Sequence, residues 1–396
     1  MQEAVIVSGA RTPLGGFGRA FVDYSAVNLG ADVIKAALDR AKVERQLVDQ
    51  VIMGCSVEVT HEINVARKCA VAAGLPIDVP AYTVNQICAS GLRAIVSGVL
   101  TIKAGEADVV VAGGTENMSQ MPYIVRNARW GTRLENGVIE DAMLAGPLAC
   151  PFNRYHMGIT AENVRKKYEI SRQDQDAYAL ESHRRAIRAM DEGKFEEEII
   201  PINLGVMGSG EPRIIDTDQH PRRDMTMERL SGFPPFFCAD GTITVGTASG
   251  LNDGAGAVVI MSEGRAKDLG ISPRLRMVSQ ASVGVEPEYM GMGPVSTVRK
   301  ALARANLKLE DIGLIELNEA FAVTSLAVGR ELGFDWGKVN VNGGAIALGH
   351  PIGATAAILT VKLMYEMARR KTRYGMVTLC VGGGQGIAAV FENMDL

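Results

Sequence analysis

Short apolar runs alternate with stretches of helical period along most of this chain, and that alternation restricts it to an α/β architecture. Ala4-Val5-Ile6-Val7, Val51-Ile52-Met53 and Ala107-Asp108-Val109-Val110-Val111-Ala112 are strand-like, with the near-continuous hydrophobicity of strands covered on both faces. Between them, residues 26–41 and 92–104 repeat apolar side chains at helical spacing. Buried strands joined through helices pack as layered, largely parallel sheets. From about residue 273 the scheme runs again. Gln50-Val51-Ile52-Met53-Gly54-Cys55 has a counterpart in Gly313-Leu314-Ile315-Glu316-Leu317-Asn318 at an offset of 263, which carries Cys88 to Pro351; Val258-Val259-Ile260 resembles Ala388-Ala389-Val390-Phe391 at about 131. Two related α/β halves are expected, residues 1–118 with 250–272 and residues 273–396, the first interrupted by a mixed α/β insert over 119–249.

Within the insert, Thr160 is placed to cap a helix over 161–167. Ser171, with Asp174 three residues on, starts a second helix reaching about Met190. The insert carries 16 basic against 19 acidic residues, so its composition announces no anionic ligand. The whole chain, with 47% hydrophobic and 22% charged residues among 396, has material for more than one core. A net charge of −4 proposes no nucleic-acid partner. Apolar runs fall short of the ~20 residues that cross a bilayer, so no membrane partner is expected. Six cysteines without a CxxC pair resemble neither a disulfide framework nor a zinc site, and the N-terminus lacks the pattern of a signal peptide, so a reducing, cytoplasmic location is expected. The glycine-rich loop Ser8 to Gly18 lacks the order of a dinucleotide site and reads as structural.

Chemistry gathers at the joins between runs. Cys88 lies where a strand-like stretch meets the helical period of Leu92, Ile95, Val96 and Val99, at or just before a helix N-terminus. Such a position favours thiolate, lowering the thiol pKa from about 8.5. A lone cysteine is more often a small buried hydrophobe. Three further stretches weigh against that reading: Asn318-Glu319-Ala320-Phe321-Ala322, the run Asn342 to Thr355 with His350, and Cys380-Val381-Gly382-Gly383-Gly384-Gln385-Gly386. If the halves pack face to face, corresponding helix starts meet, and a histidine beside a cysteine can take its proton. The glycines after Cys380 allow backbone N–H groups to point at an oxyanion.

Together these stretches resemble the thiolase family, the acyl-CoA:acetyl-CoA C-acyltransferases, essentially end to end; even Arg11-Thr12-Pro13 is similar to the family's opening signature. The resemblance implies a duplicated fold in αβαβα layers, with the insert as a loop domain covering CoA. It implies a ping-pong Claisen condensation or thiolysis in which Cys88, activated by His350, is acylated and Cys380 shuttles the second proton. His350 and a water on Asn318 would form one oxyanion hole, and the N–H groups of Cys88 and Gly382 the other. By motif match His156, Met157, Arg222, Ser249, Ala320 and Phe321 would contact substrate or CoA. Acetyl-CoA, acetoacetyl-CoA and CoA would be substrates, with no metal or redox cofactor, in a homo-oligomer, dimer or tetramer. The His156-Met157 pair is similar to short-chain acetoacetyl-CoA thiolases. Thr247, Phe233 to Phe236, Ala356 to Ile358 and Gln385 depart from that pattern. A broader-range degradative 3-ketoacyl-CoA thiolase, a ketoacyl synthase and a non-catalytic acyl-CoA- or lipid-binding relative are the alternatives; the second reactive cysteine argues against the synthase, and the retained catalytic set against the binding relative.

Overall fold

The computed structural model describes residues 2–58, 63–206 and 212–396. The first half contributes strands β1 (Ala4–Arg11), β2 (Gln50–Gly54), β3 (Ala81–Val84), β4 (Val109–Asn117) and β5 (Asn252–Ser262), the second β6 (Leu275–Gly284), β7 (Leu314–Leu317), β8 (Tyr374–Val381) and β9 (Gln385–Asn393). With the short Gly15–Gly16 strand on β5 they form one ten-stranded sheet in the order β7-β8-β9-β6-β1-β5-β4-β2-β3. Each half repeats the same internal order, and a bridge from Ile315 to Val339 stands where β3 stands in the first half. The halves join through two residue pairs, Val5 with Arg276 and Ile6 with Leu275. Exchanging the halves converts each pair into the other, so a pseudo-twofold axis passes between β1 and β6.

The strands are not largely parallel. Only β2–β3, β2–β4 and β7–β8 run parallel, and the five pairings from β4 through β5, β1, β6 and β9 to β8 are antiparallel. Apolar content reports burial on both faces but not strand direction. The β8–β9 pair needs no crossover helix because a tight turn closes it, with Gly383 and Gly384 at φ of 80° and 82°. In the first half the same closure, from β4 to β5, is opened to admit the insert.

Helices complete five layers. α1 (Ala26–Ala41) and α2 (Val65–Ala72) cover the outside of the first half, packing Leu29, Val33 and Ile34 on Val51, Val111 and Val259. α3 (Ser90–Ala104) and α8 (Ile352–Arg370) lie between the halves, where Leu92, Ile95, Leu359 and Leu363 meet Val110 and Ile260 from one sheet face and Val377 and Phe391 from the other. α6 (Gly293–Ala305) and α7 (Ala322–Leu332) close the far side on Ile315 and Val390. The central layer is packed at backbone distance: a Cβ on Gly91 would fall 2.7 Å from the Ala357 nitrogen, and one on Gly114 2.4 Å from the Gly353 carbonyl. Ile87–Ala104 has a mean hydropathy of 1.4 over 18 residues, which approaches a membrane span by composition alone. That corrects the expectation that no run comes near; here the stretch is the core helix α3 with its 3-10 entry, and its apolar surface is spent on the two sheets.

The insert contains α4 (Met157–Tyr168) and α5 (Arg172–Asp191). Ser171 caps α5, its side chain accepting the Asp174 N–H. Thr160 does not cap α4: the helix starts earlier, the His156 ring nitrogen accepts the Gly158 N–H, and the Thr160 hydroxyl donates to the Met157 carbonyl. Arg11 bolts the insert to the first half. Its guanidinium is fully buried and donates to Glu198 at 2.7 Å and to both Asp218 oxygens at 2.8 and 3.0 Å.

Candidate active site

Cys88 is carried by a short 3-10 turn, Ile87–Ala89, at the entrance to α3. The turn is strained: Ile87 has φ of 47°, a left-handed conformation that a β-branched residue rarely adopts. Local hydrogen bonds hold it there. The Asn85 side chain accepts the Ile87 N–H at 3.0 Å, and the Ser90 hydroxyl accepts from the Gln86 N–H and donates to the Ile87 carbonyl. The β8–β9 turn comes against this point, and a side chain at Gly382 would meet Met157 Cε at 2.9 Å and Ile87 Cδ1 at 3.3 Å.

His350 lies at the entrance to α8, buried, with its backbone N–H on Asn252 Oδ1. Its Nδ1 is 2.6 Å from the Thr355 hydroxyl, which already donates its proton to the Pro351 carbonyl. With the one hydroxyl proton given to Pro351, the hydroxyl oxygen accepts from Nδ1–H, the tautomer in which Nε2 is the free base; the Asn318 amide facing Nε2 favours the same assignment. Asn318, the first residue after β7, points Nδ2 at that Nε2 from 3.4 Å. Asn318 Oδ1 is buried without a partner, an acceptor suited to one water. Cys380 is buried near the end of β8.

Burial dominates the titration of this group. It pushes His350 down to about 4, so the ring is a neutral base at pH 7. Cys88 is pushed up to about 11 by burial, against the opposing backbone N–H groups of Gly382 and Cys88. This overturns the expectation of a lowered thiol. Although the residue is only half-buried as a whole, its sulfur lies against apolar walls, and desolvation there outweighs the helix N-terminus. Cys380 is held well above the ordinary thiol range by burial and then by neighbouring Cys88. Both cysteines rest as thiols. Since His350 must be neutral to take a proton, the acid limb of kcat/KM that belongs to it is expected near pH 4; a limb at pH 6.5 that vanishes on replacing His350 would refute the assignment.

A cavity of about 380 Å³ ends on Cys88, His350 and Gly382. All six residues expected at the substrate, His156, Met157, Arg222, Ser249, Ala320 and Phe321, line it, while Asn318 and Cys380 are not among the lining residues; Asn318 reaches it through His350, and Cys380 adjoins Cys88. The insert and the second half are stitched beside it by the Ser249 N–H on the Ala320 carbonyl at 3.0 Å and an Ala248–Phe321 bridge. His156 stacks on Phe237 with ring centroids 4.7 Å apart, and Phe237 meets Phe321 edge-on. Nothing local in the sequence distinguishes Phe237 from Phe233 and Phe236, yet Phe233 packs elsewhere, in the cluster around Leu230. Thr355, Ile87 and His220 were likewise not anticipated. His220 and Arg222 continue from this cavity into an outer cleft lined by Arg19, Arg223, Asp224 and Arg229; Arg223 is paired with Asp191 and Arg229 with Asp224, so the excess positive charge for a phosphorylated ligand comes from Arg19 and Arg222. Among the described residues no group of His, Cys, Asp and Glu side chains could hold a metal ion.

The family model for the thiolase N-terminal domain matches residues 4–264, and that for the thiolase C-terminal domain residues 271–393. The chain is 47% identical to an acetyl-CoA acetyltransferase of Syntrophomonas wolfei, over 99% of this chain and 100% of that protein. Among solved structures it superposes on the acetyl-CoA acetyltransferase of Bacillus anthracis with a TM-score of 0.97 at 44% identity, covering 99% of each chain. It superposes on human mitochondrial 3-ketoacyl-CoA thiolase in complex with CoA with a TM-score of 0.95 at 42% identity, covering 99% and 98%.

Proposed function

The chain belongs to the thiolase family, and we propose that it is an acetyl-CoA C-acetyltransferase interconverting two acetyl-CoA with acetoacetyl-CoA and CoA through an acylated Cys88. The observation that carries this reading is one cavity lined by both a thiol, Cys88, and a buried neutral histidine, His350. The basic outer cleft suits the phosphates of CoA, and the inner cavity suits pantetheine and a small acyl group.

In thiolysis, Cys88 gives its proton to His350 Nε2 as its sulfur attacks the 3-keto carbonyl. The oxyanion is received by the N–H groups of Cys88 and Gly382, each donor worth roughly 3 kcal/mol of barrier. Collapse breaks the Cα–Cβ bond and releases the enolate of acetyl-CoA, whose thioester oxygen rests on His350 Nε2–H and a water held by Asn318. Cys380 protonates the carbon; its raised pKa suits a thiol that must stay protonated until a carbanion forms. Incoming CoA then gives its thiol proton to the Cys380 thiolate and attacks the acyl group, and Cys88 leaves with the proton stored on His350. Condensation is the same path reversed.

Met157, Phe237 and Phe321 narrow the acyl end, which favours a short chain. With 3-ketoacyl-CoAs of rising length, kcat/KM is expected to fall on the order of 10-fold or more by eight carbons, the discrimination that a few unaccommodated methylenes supply. A flat profile would move the assignment to a broad-range 3-ketoacyl-CoA thiolase. The reading also carries a cytoplasmic location and association into a dimer or tetramer. Exposed Trp130, Val138 and Ile139 support association, as apolar surface that a lone chain leaves wet.

A further inference from the structure

Glu116, near the end of β4, is 1% exposed, and every polar neighbour it has is a donor. One oxygen accepts from the Gly353 N–H at 2.8 Å, the Ser56 N–H at 3.0 Å and the Ser56 hydroxyl; the other faces Cys55 Sγ and the Val57 N–H, both at 3.4 Å. A protonated carboxyl would turn a hydrogen on one of these donors, so the site is built for the carboxylate, although burial opposes it. No cation among the described residues is paired with it. The fit is close: a Cβ on Gly353 would fall 2.7 Å from the carboxylate.

The pseudo-twofold explains why an anion is buried there. Glu116–Gly254 is the pair before the last at the open end of β4–β5, and Cys380–Gly386 is the pair before the last at the closed end of β8–β9. Cys55 and Asn318 each follow β2 and β7 directly, and Gly91 and Gly353 are each the second residue of α3 and α8. Asn318, Cys380 and the start of α3 frame the reactive thiol. Their counterparts Cys55, Glu116 and the start of α8 frame a second such corner, occupied by the protein's own carboxylate.

We propose that Glu116 is a positioning residue for the acyl transfer: standing where the pseudo-twofold places Cys380, its carboxylate pins the start of α8, and so the adjoining His350, to the strand end beneath Cys88. Asn252 holds the His350 N–H from the other side. Without the carboxylate the N–H groups of Gly353 and Ser56 lose their partner, and the turn carrying His350 is free to shift. The charge has a second effect, disfavouring thiolate on Cys88. Its charge acts on the thiols of Cys55, where Glu58 adds to it, and of Cys88, and Cys380 is coupled in turn to Cys88.

The inference rests on the acyltransferase reading, and one set of assays separates the two. Glu116→Gln keeps the shape but turns an amide N–H toward donors. Its kcat is expected to fall on the order of 10-fold, as for a catalytic group displaced by a fraction of an ångström, with KM little changed. Iodoacetamide alkylation of Cys88, followed by peptide mass across pH, is expected to move to lower pH in the same variant. Because general loosening would also hydrate Cys88 and lower its pKa, the shift is read beside buried Cys69: Cys69 unalkylated in the variant assigns the shift to the lost charge, and Cys69 alkylated as well assigns it to loosening and overturns the role. Glu116→Asp should recover part of kcat. If Glu116→Gln does not fold, Ser56→Ala decides: it removes one donor and leaves the carboxylate, and a roughly threefold loss of kcat is expected. Unchanged kcat in whichever variant folds, or parallel losses in alkylation and turnover, overturns the role of Glu116 while an active wild type keeps the acyltransferase reading. An inactive wild type overturns both.

Discussion

Cys380→Ser enzyme given acetoacetyl-CoA and CoA is expected to turn over at least about a thousandfold more slowly than wild type, while Cys88 can still be acetylated. The two half-reactions ask different things of the residue. Acylation needs Cys88, the free Nε2 of His350 and the N–H groups of Cys88 and Gly382, none of which the substitution touches. Proton delivery to and from the α-carbon needs a group whose acidity can bridge a thioester α-carbon and a CoA thiol. A serine hydroxyl is a weaker acid than the thiol, so it gives its proton to the carbanion more slowly, and its alkoxide is too basic to form for the reverse transfer, so the step slows in both directions. Mass spectrometry of the Cys88 peptide after mixing with acetyl-CoA, beside steady-state thiolysis, checks both halves. Normal turnover by the variant would remove Cys380 from the mechanism.

Arg11→Met is expected to cost about 3–5 kcal/mol of stability, the penalty for leaving buried charge without its partner. Methionine fills the space of the arginine stem but leaves Glu198 and Asp218, both buried, facing an apolar tip. Glu198 keeps the attraction of Lys362, and Asp218 the Leu14 N–H, but neither replaces the guanidinium. The loss should appear as a lower urea midpoint, and restoring neutrality with Glu198→Gln and Asp218→Asn in the same chain should return much of it. Because both carboxylates belong to the insert, KM for CoA should rise while the rate of Cys88 alkylation by a small reagent holds. A midpoint within about 0.5 kcal/mol of wild type, the range of an ordinary surface change, would show that the triad is dispensable.

What could be read from residues alone follows a physical line. Cys88, Asn318, His350 and Cys380 were legible because each stands where a strand ends or a helix begins, and local patterns mark such joins. Whether a thiol there is acidic depends on what the rest of the chain packs around it, and burial reversed the expectation at Cys88. Strand direction was hidden for a similar reason: Val258 and Ile260 look alike whether β5 runs with or against β4. The cap of α4 was misplaced at Thr160 because histidine is not among the usual capping residues, yet the His156 ring nitrogen does that work. Ile87 in the left-handed region is legible only in coordinates, since nothing about isoleucine suggests it. Glu116, four residues past the apolar run that ends at Ala112, carries no local pattern of its own, and its meaning appears once β4 is laid over β8.

β1 leaves the ribosome long before either of its neighbours, which are far away in sequence: Ala4 pairs with Ser262 and Val5 with Arg276. At synthesis rates of about 5–20 residues per second, this apolar strand waits on the order of 10–50 s for either edge to be covered. The nascent chain thus carries an unpaired, aggregation-prone segment until residues 252–284 have been made. Co-translational chaperones, rather than the stability of the finished sheet, should set its yield.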